Sequence, residues 1–409
     1  MGDLETRVTQ LRERFLFREV ARRRGEVVLR QGGVTLLLSQ RGEEGGQEAY
    51  PWLAGLCTVR VDSVFNLCLE VGDVAGLSEA MVTAGSRLLL PPSSLVSEDG
   101  EVEVAVVSSP CDNVIHSLVN TSRYSGVFLP GFPSVEQEEG REGEELLTHI
   151  DHVTYVCEEG ASARILDFYG QTCGMRRFLV APGEDPVRGL ELEGGPGLRL
   201  LAGEWLAEWL CREEGLQWSR EGEGDNFKLV LAEPLPCSPH SHVNTFLQDH
   251  GGPGVQHLGL TAAGPLAPTI LRLRGAGHVF RSPPPTYYRL EDKQRQIRAI
   301  GQDPEIFREL GILIDPEPGQ EEDQELTDYI LQIFTLPLFS ENTFFLEVIQ
   351  RSGACRGFGA GNIRALAESI VMLEREGEGG EDGAAEDTLE EEEQKPNGGT
   401  PPEGLSSCS

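Results

Sequence analysis

The sequence predicts an α+β protein in which a small strand–helix–strands unit is used more than once. Short stretches of alternating polar and apolar residues are interleaved with segments of helical apolar spacing, and distant stretches of the chain resemble one another. The composition can also fill a core: of 409 residues, 39% are hydrophobic and 25% charged. That length allows two or three domains and excludes a wholly disordered chain or a disulfide-held miniprotein. Lys and Arg number 34 against 67 Asp and Glu, a formal charge of −33. A surface of that sign repels phosphate backbones, so nucleic acid is not an expected partner. No apolar run approaches the ~20 residues of a membrane-spanning helix, so no transmembrane segment is expected. The cysteines number nine, an odd count with no C-x-x-C pair. This argues against a structural zinc site and for a reducing compartment.

The first half, residues 1–134, opens with a helix from Leu4 to about Arg24. Its many arginines are interspersed with Asp3, Glu5, Glu13 and Glu19. A mitochondrial presequence avoids acids, so these arginines read as a solvated helix face. Alternating strands follow at Glu26–Arg30, Val34–Ser39, Ser63–Glu70 and Glu101–Ser108, with a helix over Ala75–Gly85. Because the chain begins in a helix, the first unit lacks an opening strand. Residues 135–147 form a linker, acidic and Gly-rich over Val135–Glu145. The second half, 148–373, repeats the scheme: a strand at His149–Cys157, a helix from Ser162 to about Tyr169, and strands near Leu198–Leu201 and Asn226–Ala232. Then come a helix at His242–His250, a strand at Gly254–Ala262, a helix near Leu266–Gly275, an acidic surface loop at Glu317–Gln324, and strands at Tyr329–Thr335 and Thr343–Gln350. A closing helix, Gly361–Leu373, has apolar residues at helical spacing. Residues 374–409 hold about a third of the net charge and almost no large apolar side chain, so they cannot offset their ordering entropy and read as a disordered acidic tail.

The internal likeness points to the chemistry. Ile150-Asp151-His152-Val153 and Val255-Gln256-His257-Leu258 each place a histidine after an apolar and a variable residue. The related stretch Val64-Phe65-Asn66-Leu67 has Asn instead. His152 shares a strand face with Ile150 and Thr154, and His257 shares one with Val255 and Gly259. Glu347 lies in Phe344-Phe345-Leu346-Glu347-Val348-Ile349, where an unpaired anion is costly to bury. Singly, each also fits a hydrogen-bonded core residue. Together, equivalent positions of repeated units can converge on one centre. Two imidazoles and a carboxylate with open positions suit non-haem Fe(II), and the same donors can hold zinc. His116, His240, His250 and His278 are assigned to structure, and His149 faces away from His152. Tyr287 and Tyr288 read as a loop anchor.

Gly254-Val255-Gln256-His257-Leu258, Tyr329-Ile330-Leu331-Gln332-Ile333-Phe334-Thr335, the stretch from Phe344 to Ile363, and His149-Ile150-Asp151-His152 resemble segments of the 4-hydroxyphenylpyruvate dioxygenase family. Phe128-Leu129-Pro130-Gly131-Phe132 is similar to its segment joining the two halves, and the likeness runs from roughly Leu11 to Leu373. The resemblance implies a vicinal-oxygen-chelate fold of two halves, each of paired β-α-β-β-β modules in curved mixed sheets. It implies Fe(2+) held by His152, His257 and Glu347, with no metal in the first half and no catalytic residue beyond these ligands. It implies substrate contacts from Gln332, Phe334, Phe345, Phe358 and Gln256, with Phe334 and Phe358 sandwiching the substrate ring, and a gating role for the closing helix. The activity implied is Fe(II)- and O2-dependent decarboxylation and hydroxylation of 4-hydroxyphenylpyruvate. The product would be 4-hydroxymandelate, as in the similar hydroxymandelate synthases, or homogentisate. A non-catalytic interaction protein remains the alternative of another class. The expected partners are a 2-oxoacid, O2 and a second copy of the chain, and the expected location is mitochondrial, with cytoplasm the alternative. Relative to the family an insertion lies around Gly203–Asp225, and two departures bear on the substrate. The family's P-I-N-E-P is here Val230-Leu231-Ala232-Glu233-Pro234, and its S-Q-I-Q is Ser241-His242-Val243-Asn244, so the polar grip on the substrate differs.

Overall fold

The computed structural model describes residues 4–40, 56–135, 145–179, 181, 184–193, 197–205, 209–212, 215–218, 227–236, 238, 241–317, 326–339, 341–366, 368–369 and 372. The acidic tail, most of the 135–147 linker and of the 317–324 loop, part of the 203–225 insertion, and His240 lie outside them.

Helix α1 (Leu4–Arg14) buries Leu4, Val8 and Leu11. The expected helix to Arg24 stops short. Leu16 adopts a left-handed conformation (φ 59°) that a helix cannot continue through. Phe15 and Phe17 turn into the core on either side of it. The following residues form strand β1 (Arg18–Arg23), paired antiparallel with β2 (Glu26–Gln31), which pairs with β3 (Val34–Ser39). These arginines belong to the fold: Arg22 bonds Glu5 and Glu19, and Arg23 bonds Glu26.

The next unit is β4 (Leu69–Glu70), α2 (Val74–Thr83), β5 (Leu88–Ser97), β6 (Gly100–Ser108) and β7 (Ile115–Tyr124). Asp73 caps α2, accepting from Gly76 N at 2.8 Å. The strand expected over Ser63–Glu70 is reduced to β4 and one bridge, Asn66 to Ile115. The Asn66 amide takes over the pairing there, donating to Ser117 Oγ at 2.8 Å and accepting from Ser117 N at 3.1 Å.

The second half supplies β8 (Leu147–Val156), α3 (Ser162–Cys173), β9 (Arg176–Phe178), β10 (Leu190–Leu192), β11 (Leu198–Glu204), β12 (Trp209–Arg212), β13 (Gly215–Trp218) and β14 (Lys228–Pro234). It continues with α4 (His242–His250), β15 (Gly254–Ala262), α5 (Leu266–Gly275), α6 (Glu291–Ala299), α7 (Pro304–Leu310), β16 (Leu313–Pro316), β17 (Tyr329–Phe334) and β18 (Phe345–Ser352). Gly203, expected in the insertion, lies within β11. Pro285–Arg289 forms a 3-10 turn that buries Tyr287 and Tyr288. Residues 360–366, 368–369 and 372 are helical, and the rest of the expected closing helix lies outside the described residues.

The topology repeats. In the nine-stranded sheet the path is β10-β11-β14-β8-β15-β18-β17-β16, with β9 beside β11. The first strand of each module pairs parallel with its last, β8 with β14 and β15 with β18, and the modules join through antiparallel β8 and β15. In the first half β4 and β7 make the same parallel pair. Parallel pairing of first and last strands requires a crossover, which α2, α3 and α5 supply. One apolar core spans both halves, including Leu29, Leu118, Tyr155, Leu260 and Leu346. Side chains this completely buried each stabilise the fold by about 1.5–3 kcal/mol. No helix among the described residues is long and apolar enough to cross a membrane.

Candidate metal centre

Three adjacent strands at the middle of the large sheet place His152, His257 and Glu347 together. His152 Nε2 lies 3.1 Å from Glu347 Oε2 and 3.4 Å from His257 Nε2, and the third side of this triangle, His257 Nε2 to Glu347 Oε2, is 3.5 Å. One donor atom from each falls within 4.8 Å of the others, a grouping that can hold a metal ion. His152 and Glu347 are each 1% exposed.

Backbone register explains the convergence. On central β15, Gly259 is opposite His152 on one side and Glu347 on the other. Its missing side chain is required: a Cβ there would lie 2.2 Å from His152 Cε1. The β8–β15 ladder also has register shifts, one between Val255 and His257 and one between Gly259 and Leu260, leaving Gln256 and Asp151 without strand partners. Each is therefore a bulged residue beside a histidine, and a bulge re-aims the side chains next to it. Asp151 Oδ1 meets His152 Nδ1 at 2.9 Å, and Gln256 Oε1 meets His257 Nδ1 at 3.2 Å. Both acceptors fix the hydrogen on Nδ1 and turn the Nε2 lone pairs inward, as metal-binding imidazoles require. The two variable positions of the internal repeat thus do equivalent work.

The two imidazoles sit in different electrostatic surroundings. Burial lowers the His152 pKa, but Glu347 and Asp151 together outweigh it and raise it to about 9. Burial, and then the neighbouring His152 and His242, hold His257 well below the ordinary histidine value. Burial alone would push the Asp151 carboxyl up, yet Arg351 and His152 hold it well below the usual carboxylate range. Arg351 grips it in a fork, with Nε and Nη2 at 2.8 and 2.9 Å.

Around the triad, Phe345 stacks on His257 with centroids 4.7 Å apart, and Phe334 meets Phe345 edge-on at 6.0 Å. Phe358 lies 6.3 Å from His152 and 6.0 Å from Phe178. Gln332 donates to Glu347 Oε1 at 2.5 Å and to Phe358 O at 2.9 Å. All the expected site residues therefore gather here, but Gln332 and Gln256 bond the candidate ligands themselves. Phe358 packs in one apolar cluster with Phe178, Val230, Ala232, Val243 and Phe246. His149 is turned away, its ring bonded to Thr148 and Thr261. His116 bonds Tyr169, and His250 bonds Ser63. The supporting residues missed in the sequence are Asp151, Arg351 and Asn362. For Asp151 the signal was present: it stands directly before a histidine, where the other copy of the repeat places Gln256.

Three modules that repeat one topology, with two candidate ligands on the first strands of two of them and the third on a last strand, define a vicinal-oxygen-chelate protein. No family model matches the chain. Over 355 residues it is 36% identical to the human 4-hydroxyphenylpyruvate dioxygenase-like protein, covering 84% of this chain and 86% of that one. It is 30% identical over 318 residues to 4-hydroxyphenylpyruvate dioxygenase from Yarrowia lipolytica, covering 76% of this chain and 72% of that one. A triple mutant of 4-hydroxymandelate synthase from Streptomyces coelicolor superposes with a TM-score of 0.67 at 25% identity, over 90% of this chain and 95% of that one. The chain belongs to the 4-hydroxyphenylpyruvate dioxygenase family.

Proposed function

We propose that this chain is an Fe(II)- and O2-dependent oxygenase that converts 4-hydroxyphenylpyruvate and O2 to 4-hydroxymandelate and CO2. The observation that carries the reading is the meeting of His152, His257 and Glu347, with the imidazole Nε2 atoms 3.1 and 3.5 Å from the carboxylate. Fe(II) bound there would supply a Lewis acid for the 2-oxoacid and the electrons that activate O2. His152, His257 and Glu347 hold it, and Asp151 and Gln256 keep the imidazoles in the binding tautomer. Phe334, Phe345 and Phe358 offer ring faces and edges for an aromatic substrate and keep water from the reacting centre. Two features favour hydroxylation at the benzylic carbon over the ring. One is the similarity to a 4-hydroxymandelate synthase along nearly its whole length. The other is Ala232, in one apolar cluster with Phe358, where the family's P-I-N-E-P motif carries an Asn whose loss changes how the substrate's far end is held.

The test is anaerobic loading with Fe(II), addition of 4-hydroxyphenylpyruvate and then air, with CO2 and products measured. 4-Hydroxymandelate and homogentisate are isomers, so chromatography and fragmentation, rather than mass alone, must separate them. Stoichiometric CO2 with 4-hydroxymandelate is expected. Homogentisate would overturn the benzylic assignment, and Fe(II) binding without CO2 release would favour a non-catalytic role.

A further inference from the structure

The segment that carries Phe358 is wired to two of the three candidate ligands by separate hydrogen-bonded arms. On one side, Arg351 donates to Cys355 O at 3.3 Å and to Gly357 O, while its other nitrogens hold Asp151, which holds His152. On the other side, Asn362 Nδ2 donates to Gln332 Oε1 at 2.7 Å, and Gln332 passes to Glu347 Oε1 at 2.5 Å. Gln332 also holds Phe358 O, and Asn362 is fixed from behind by Tyr287, whose hydroxyl donates to Asn362 Oδ1 at 2.7 Å. Gln332 packs where a Cβ on Gly359 would sit, and Gly359 has a left-handed φ of +83°, so this turn suits only glycine. Gln332, Asn362 and Tyr287 are at most 2% exposed, so the polar chain is made away from solvent.

Resting on the metal-centre reading above, we propose that Asn362 and Arg351 are positioning residues. They couple docking of the 353–366 segment to the orientation of Glu347 and His152. Each arm ends on the ligand side chain itself. If the segment lifts, Gln332 loses the two partners that fix its amide, Asn362 Nδ2 and Phe358 O, and Arg351 loses the two carbonyls that aim its fork at Asp151. The ligands then regain rotamer freedom, which a metal must remove on binding. Linkage makes the effect reciprocal, so a metal that holds the ligands also holds the segment down and places Phe358 beside the site.

The experiment uses the full chain and Co(II), which is stable in air and reports its ligand field by visible absorption. Co(II) titrations and hydrogen exchange over residues 353–366 are compared for the native chain, Asn362→Leu and Arg351→Lys. Arg351→Lys keeps a cation for Asp151 but loses the fork, so it serves if Asn362→Leu fails to fold. In the native chain Co(II) is expected to slow exchange in the segment. The variants are expected to bind Co(II) about 10–100-fold more weakly, as loss of groups orienting metal ligands typically does. Their Co(II) spectra should be altered, and metal should no longer protect the segment. Native affinity and spectrum in both variants, or exchange in the native segment indifferent to Co(II), would overturn the proposal. A native chain that binds no Co(II) would instead sink the metal-centre reading, and this inference with it.

Discussion

Substitution of Gly259 by alanine is the sharpest probe of how the site is built. Gly259 is far from unusual in backbone terms, and its role rests on space. A Cβ there would lie 2.2 Å from His152 Cε1 and 2.3 Å from Nδ1, while ordinary contact begins near 3.4 Å, so the ring must retreat by about 1.2 Å (3.4 − 2.2). His152 is 1% exposed and anchored to Asp151 at 2.9 Å, so retreat strains that bond and moves Nε2 from Glu347. Overpacking of this size costs about 1–3 kcal/mol of stability. Displacement of a ligand by an ångström is expected to weaken metal binding by at least about tenfold. Chemical denaturation of the metal-free protein measures the first, and calorimetric Co(II) titration measures the second. A Gly259→Ala protein with native stability and native Co(II) affinity would refute the placement of His152 over this glycine.

Further outcomes follow from the same geometry. Asp151→Asn removes the buried anion that the Arg351 fork grips and should cost about 3–5 kcal/mol in a denaturant titration; a loss below 1 kcal/mol would show the pair to be solvated. His116 is fully buried, and burial brings its pKa down to about 4. Its unfolded form takes up a proton first as pH falls below the ordinary histidine value of 6.5, so its stabilising effect is present above that pH and lost as pH falls toward 4, by up to about 3 kcal/mol. His116→Gln should flatten the stability-versus-pH slope between those values, and an unchanged slope would contradict it. Asp73→Ala removes the cap of α2 and should cost about 1 kcal/mol without altering Co(II) binding.

The site was legible in the sequence to the extent that it rests on period-two alternation and the repeat. His152, His257 and Glu347 each stand on a predictable strand face, and the likeness between the Ile150–Val153 and Val255–Leu258 stretches gave a reason for them to meet. What alternation cannot show is a register shift. The bulges that bring Asp151 and Gln256 beside their histidines break the period-two rule, so the bond from Gln256 to His257 was not foreseen. Nor does local pattern reveal Arg351, whose acid lies 200 residues away in the chain. At the N-terminus the helical pattern was read past its end, because a left-handed Leu16 between two buried phenylalanines is a tertiary choice. Asn66 showed the converse: its amide pairs with Ser117 and shortens a strand that alternation would have extended.

The direct measurement is anaerobic equilibrium dialysis of the purified full chain against Fe(II), alongside His152→Ala, His257→Ala and Glu347→Ala. One tightly held Fe(II) per native chain, lost in each of the three variants while they remain folded by circular dichroism, is the result expected. No retained Fe(II) in the native protein, or retention that survives all three substitutions, would contradict the assignment.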